Sequence, residues 1–408
     1  MELTILITII SISFAFDRLL DFLNLSRLDP QLPPAAKEIY DEEKYRRSQE
    51  YYRINHRFTQ ITSSFSFLVF VALLSVGGFG MLDTWIRTFI KDEIWISLAF
   101  FGLLGTASGI LSLPFEIYKT FVIEEKFGFN KTSVKLFVLD KLKSLLLMLI
   151  LGGLLAALLL NINAAAGEFF WVLAWLVFIA VMILASTFYT SLLLPIFNKL
   201  SPLPEGELSN AIRNYCSKSG FALKDIYVMD GSKRSSKANA FFSGLGRKKK
   251  IVLFDTLIRN HGTDELIAVL AHETGHFSMK HTRTGLIWGI VQSGIMLYIL
   301  SLFLGNDAFA KALGAKGSAF HLDLISFSIL YTPLSTCLGI ISNLLSRRHE
   351  YQADAFARRT FGAEPLVRAL KKLSADNLSN LLPHPAYVFV HYSHPPLLKR
   401  IQALEKNE

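Results

Sequence analysis

Seven stretches of almost unbroken apolar sequence leave this chain few folds to choose from. They lie near Leu3–Phe16, Ser63–Met81, Ile94–Leu113, Ser144–Ile162, Phe170–Phe197, Gly285–Leu304 and Leu324–Leu345. About 20 residues rising 1.5 Å each cross a hydrocarbon core, so most of these runs are long enough to span a bilayer as helices. The first is short and is continued by Leu19–Leu25. No basic segment precedes it and Asp17-Arg18 follow it where a small-residue cleavage site would stand, so a spanning helix is expected rather than a signal peptide. Composition agrees: 51% of the 408 residues are hydrophobic and only 18% charged, against roughly a quarter charged in soluble domains. With 33 Phe and 13 Tyr the chain has too much apolar surface to be disordered, collagen-like or a coiled coil. Cys216 and Cys337 lie far apart, one in a polar stretch and one in an apolar run, which excludes a disulfide framework.

The net charge of +9 is distributed unevenly. Loops after the first, third and fifth runs are basic, holding Arg46, Arg47, Arg53 and Arg57, then Lys119, Lys126, Lys131 and Lys135, then Lys233, Arg234, Lys237 and the run Arg247–Lys250. The alternate loops carry only Arg87 and Lys91, then no base in Asn163–Phe169, then Lys311 and Lys316. Cytoplasmic loops collect Lys and Arg, so the N-terminus is expected outside and the C-terminus inside. The basic run then serves retention on the cytoplasmic side, and no nucleic-acid partner is expected.

Four segments follow: 1–197 with five spans and their loops, a polar block 198–284, the spans of 285–345, and a polar block 346–408. Both polar blocks fall on the cytoplasmic side. Within the first, Asp225–Met229, Lys250–Phe254 and Asn239–Ser243 read as short strands, the last bounded by the turn-prone Gly244-Leu245-Gly246. Thr263-Asp264-Glu265 opens an amphipathic helix through about Lys280, with a hydroxyl N-cap and acidic residues suited to the positive helix end.

That helix contains His272-Glu273-Thr274-Gly275-His276, an HExxH pattern. Residues i and i+4 share a face one turn apart, the separation that lets two imidazoles bind one tetrahedral zinc, with Glu273 placed to act on the attacking water. A catalytic zinc needs a third protein ligand and an open position. The metzincin extension is excluded, because Met279 and Thr282 occupy its Gly and His places. His281, His349 and Glu350 remain as candidates. Glu350-Tyr351-Gln352-Ala353-Asp354 is the most suggestive segment, since a helix there projects Glu350 and Asp354 from one face, one to bind zinc and the other to orient a ligand histidine.

With these residues the sequence resembles the integral-membrane CaaX prenyl endopeptidases, zinc metalloproteases distantly related to the HtpX heat-shock membrane protease. The resemblance spans nearly the whole chain and includes Phe121–Asn130, Leu194–Lys199, Asn239–Phe242, Ile251–Leu257 and His391–Pro396 as well as the HExxH and Glu350-xxx-Asp354 motifs. It implies a predominantly α-helical polytopic membrane protein in which seven tilted helices surround a large chamber. A cytoplasmic gluzincin-like protease domain with a small β-sheet would carry the zinc site, reached through side portals. By position, the resemblance makes His272, His276 and Glu350 ligands of one zinc per chain, Glu273 the catalytic base and Asp354 an outer partner. Asn239 and His394 would contact the substrate backbone or the tetrahedral intermediate, and Arg400, which matches an arginine close to the site, would help to bind substrate.

The expected activity is zinc endopeptidase action on peptide or lipidated-protein substrates at the bilayer, of C-terminal CaaX type. A quality-control protease acting on unprenylated substrates is the alternative, and a metal transporter a remote one, disfavoured because ionisable residues are scarce within the apolar runs. The expected location is the endoplasmic reticulum membrane in a eukaryote and the inner membrane in a prokaryote, with the protease site on the cytoplasmic side. The extended Asn239–Ser243 segment is expected to receive substrate as an added strand.

Overall fold

A computed structural model of the chain describes residues 1–221, 225–243 and 250–406. Among them, five helical stretches are long and apolar enough to cross a membrane: Glu2–Leu25, Glu42–Ser75, Glu93–Glu124, Val134–Phe197 and His281–Phe303. A sixth is made if the pair Phe320–Leu330 and Thr332–Thr360, bent by 58°, counts as one span. The difference from the seven expected spans has a physical origin. The runs Ser144–Ile162 and Phe170–Phe197 share the 64-residue stretch Val134–Phe197, which turns through Gly167–Phe169. The first apolar run and Leu19–Leu25 form one continuous helix, as expected.

Only 6 to 17% of each apolar window is inside the protein, so these helices present most of their Leu, Ile and Phe outward. In hydrocarbon that exposure costs nothing, because lipid tails are as apolar as the side chains. The bend in the last pair falls beside Pro333, in the first turn of Thr332–Thr360, where proline's missing N–H is tolerated. Gly77, at φ 69°, ends the helix Glu42–Ser75 and turns the chain into Gly78–Phe89, a left-handed position that glycine takes without strain.

The polar blocks fold around a four-stranded sheet of order β1-β2-β4-β3: β1 Leu200–Pro202, β2 Asp225–Met229, β3 Ala240–Ser243 and β4 Lys250–Phe254. Three of these were expected from the sequence; β1, with three residues, was not. β2 and β4 run parallel, while β1 and β3 are antiparallel to their neighbours. Ile251, Val252 and Leu253 are all buried, as befits a central strand covered on both faces. β3 is an edge strand. The Gly244-Leu245-Gly246 turn and Arg247–Lys249 of the basic run lie outside the described residues.

Several motif residues act as ties between the sheet and the membrane helices. Glu124 accepts a hydrogen bond from Tyr51 Oη (2.6 Å) and pairs with Lys237 Nζ (3.0 Å), while Glu125 accepts from Asn130 Nδ2 (2.9 Å). Arg234 forks onto both oxygens of Asp140 (2.8 and 2.9 Å) and donates to Asn198 Oδ1 (3.0 Å). All but the local Glu125–Asn130 bond join residues distant in sequence, and each has at least one charged partner, the stronger class of hydrogen bond. They explain these motif residues without chemistry.

The HExxH helix runs Thr263–Ser278, and Leu266, Ile267, Ala268, Leu270 and Ala271 are buried in the main core with Ile251, Leu253, Leu366 and Ile401. Its N-cap is Gly262, not a hydroxyl residue; Glu265 caps it, accepting the Gly262 N–H at 3.0 Å. It stops two residues short of Lys280, whose φ of 61° breaks the helix before a new one starts at His281. Glu350 and Asp354 sit on Thr332–Thr360, the continuation of the last apolar run. The change from apolar to charged sequence near Ser346 therefore falls inside one helix.

Candidate active site

Gly275 lets the two site helices meet. A Cβ there would lie 3.0 Å from Ala353 Cα and 3.0 Å from Phe356 Cβ, so only hydrogen fits between the HExxH helix and Thr332–Thr360. Gly275→Leu is expected to separate the helices, lowering metal content and costing about 1–3 kcal/mol or more of stability through overpacking. Thermal unfolding and metal per chain measure this; unchanged metal content in the variant would refute the close-approach argument.

Across that contact three side chains converge. His272 Nε2 lies 3.2 Å from His276 Nε2, Glu350 Oε1 lies 3.2 Å from His276 Nε2, and Glu350 Oε2 lies 3.5 Å from His272 Nε2. Two imidazole nitrogens this close share either a proton, as N–H···N, or a cation. Ligands at 2.0–2.1 Å in a tetrahedron stand about 3.3 Å apart, which these separations match. Glu350 is buried, and its Oε2 has no hydrogen bond, only longer contacts to His272 and Arg400. The donor set, its spacing and that carboxylate oxygen fit a metal ion, and this is the one such group among the described residues.

An outer layer holds the triangle. His272 Nδ1 is 2.8 Å from Asp354 Oδ1, which directs the Nε2 lone pair towards the triangle when Nδ1 carries the proton. Arg400 grips Asp354 with two hydrogen bonds, Nε to Oδ2 at 2.9 Å and Nη2 to Oδ1 at 2.7 Å, and its Nη1 lies 3.3 Å from Glu350 Oε2. Asp354 thus lies against His272 and Arg400. Arg400 is buried and largely engaged with these two carboxylates, although it also borders a small cavity.

His281 and His349, the other candidate ligands, do not join the triangle. His281 Nδ1 is 3.1 Å from His276 Nδ1, on the far side of that ring, and its Nε2 is 2.9 Å from Gln352 Oε1. His349 stacks on His281 with centroids 4.0 Å apart and planes 9° from parallel. The Gln352 contact escaped the sequence reading. Helical register alone gives no sign of it, since Gln352 stands two positions from both Glu350 and Asp354 and so about 160° around the helix from each.

Glu273 is enclosed by protein on most sides yet still touches the open cavity. Burial pushes its carboxyl above the usual carboxylate range, against the pull of His272 and His276. His394 is exposed at the cavity wall, yet desolvation by the protein around the ring holds it below the usual histidine value despite the attraction of Glu350. Its Nε2 is 3.3 Å from Glu350 Oε1 and its Nδ1 is 3.0 Å from Ser393 Oγ. Asn239 precedes β3, exposed, with its Oδ1 accepting from the Ala240 N–H at 2.8 Å.

Two cavities meet at Glu273, Glu350 and His394. One, of about 910 Å³, runs between the membrane helices past Tyr189, Trp288 and Gln292. The other, of about 170 Å³, lies under Asn239 and is walled by Leu257, Val269, Leu366 and Leu370.

Apolar spans, a His-His-Glu triangle suited to a metal ion and a carboxyl beside it at the mouth of a cavity between the apolar helices define a multi-pass membrane metallopeptidase. Comparison with known proteins carries this further. Residues 21–199 match the model of the CAAX prenyl protease N-terminal region, described as five membrane helices, and residues 202–408 match peptidase family M48. The chain is 34% identical to CAAX prenyl protease 1 of Saccharomyces cerevisiae, over 96% of this chain and 92% of that one. It is 32% identical to the human CAAX prenyl protease 1 homolog, over 92% and 88%. The crystal structure of S. mikatae Ste24p superposes with a TM-score of 0.95 at 33% identity, covering 100% of this chain and 99% of that one. The chain belongs to the M48 peptidase family, in its CAAX prenyl protease branch.

Proposed function

We propose that this protein is a zinc endopeptidase that cleaves CaaX-type prenylated peptides from the cytoplasmic face of its membrane. The observation that carries the reading is the His272, His276 and Glu350 triangle, with Glu273 beside it, at the mouth of a cavity walled by membrane helices. A peptide bearing a lipid can keep its chain partly within the bilayer and still present a peptide bond there. The names of the relatives support the substrate class. Mass spectrometry of products from a farnesylated CaaX peptide and an unprenylated control tests it. Equal cleavage of both would favour a quality-control protease instead.

His272, His276 and Glu350 would hold the zinc, which when bound acidifies water and polarises the substrate carbonyl. Glu273 takes the proton of the attacking water and returns it to the leaving amine. Asp354, itself fixed by Arg400, orients His272. The unpaired outer edge of β3 would receive the substrate as an antiparallel or parallel strand, with Asn239 satisfying backbone groups that the strand leaves free. His394 borders both cavities with its Nε2 3.3 Å from Glu350 Oε1, and from there it can donate to the developing oxyanion.

These two roles predict different kinetics. Asn239→Ala is expected to raise KM more than it lowers kcat, because a backbone contact serves ground and transition states alike. His394→Ala is expected to lower kcat by about 10²–10³ with KM little changed. Zinc should stay at wild-type levels in both. If His394→Ala loses its zinc, His394 is a ligand or a fold determinant and the oxyanion role is abandoned.

The charge distribution supports an N-terminus across the membrane and both polar blocks in the cytoplasm, in the endoplasmic reticulum membrane of a eukaryote or the inner membrane of a prokaryote. On this topology the basic residues keep their loops inside and need no nucleic-acid partner. Cysteines placed at Ser236 and Gly167, in a background lacking Cys216 and Cys337, are expected to label from opposite sides. Labelling from one side would remove a span or the charge argument.

A further inference from the structure

Neutral imidazole has one N–H and one lone pair, so a histidine that binds a metal through one nitrogen must carry its proton on the other. If His276 gives the lone pair of Nε2 to the triangle, its Nδ1–H needs an acceptor. The atom facing it is His281 Nδ1 at 3.1 Å. That atom accepts only if the His281 proton is on Nε2, and Nε2 faces Gln352 Oε1 at 2.9 Å, which accepts it. Starting from the triangle, the chain of protons can be assigned in one direction only. We propose that His281 and Gln352 are positioning residues, a neutral two-step relay that fixes the tautomer and ring plane of His276 and thereby sets metal affinity. The proposal rests on the reading of His276 as a ligand.

The backbone is shaped to bring this relay together. Five residues along an unbroken helix turn about 500°, which would carry residue 281 about 140° around from His276. Lys280, at φ 61°, interrupts the helix and returns His281 to the His276 ring. There His281 is buried, and its plane is fixed by the stack on His349. Gln352 comes from the same helix as Glu350 and Asp354, so one rigid element supports both histidines. The two supports differ in charge. His272 leans on the Asp354 carboxylate with Arg400 behind it, whereas His276 leans on uncharged groups. A carboxylate makes the opposite nitrogen a stronger donor to the metal; a neutral relay supplies direction while adding no further negative charge to the site.

The test is the zinc dissociation constant of the full chain in detergent, obtained by competition with a chromogenic chelator. Thermal unfolding of the metal-free forms is measured in parallel. His281→Phe keeps a ring to stack on His349 but has no acceptor for His276, and zinc binding is expected to weaken about 10–100-fold, the usual range for such a partner. Gln352→Leu should weaken binding in the same direction, whereas Gln352→Glu, which still accepts from His281 Nε2–H, should bind at or above the wild-type level. His276→Ala is the control and should lose most of its zinc. Wild-type affinity in both His281→Phe and Gln352→Leu, with the control impaired, would overturn the relay and leave the ligand set standing. An equal fall in Gln352→Glu and Gln352→Leu would also overturn it, since shape and not acceptance would then matter. A control that binds zinc normally would overturn the ligand reading itself.

Discussion

Glu273→Gln is expected to retain its metal and to lose turnover by several orders of magnitude. The amide copies the shape of the carboxyl, so the helix, the cavity mouth and the His272, His276 and Glu350 triangle have no reason to move. What it lacks is a basic oxygen. General-base help alone is worth about 10²–10⁴ in rate, and here the same group is assigned a second transfer, to the leaving amine. Groups that act as one unit fail together, so the loss should exceed either step alone. Peptide cleavage followed by mass spectrometry, with metal per chain from elemental analysis, separates chemistry from binding. Substantial turnover at normal metal content would remove Glu273 from the role of base.

How much of this was legible in the sequence depended on whether the determining contact was local. The i, i+4 spacing of His272 and His276 predicted their shared face, because helical geometry is set within one turn. The same spacing put Glu350 and Asp354 together on their helix. Three strands were readable from short apolar runs, but β1 was not, since Leu200–Pro202 is too short to show a pattern and pairs with a strand more than twenty residues away. The cap on Gly262 was misread because Thr263 is the first helical residue and Glu265 reaches back past it. Composition could find the apolar runs without saying which of them share a helix. Choosing among His281, His349 and Glu350 needed the approach of two helices, and that depends on Gly275 against Ala353, a contact that no local pattern contains.

That choice yields the second large effect. Glu350→Ala removes two oxygens facing the histidine nitrogens, at 3.2 and 3.5 Å, and with them one of three protein ligands together with its negative charge. Metal occupancy after purification should fall well below one per chain, and peptidase activity should fall with it. The fold is expected to survive. Arg400, which loses its contact to Glu350, keeps both hydrogen bonds to Asp354, so no buried guanidinium is left unpaired. His349→Ala is the informative partner, for His349 stacks on His281 and contributes no atom to the triangle. It should keep most of its metal, with any loss arising through the tilt of His281. Elemental analysis of the two variants beside the wild type gives a direct ordering, Glu350→Ala far below His349→Ala. The reverse ordering would make the imidazole the third ligand, and the Glu350 carboxylate would become a support for the histidines instead of a ligand beside them.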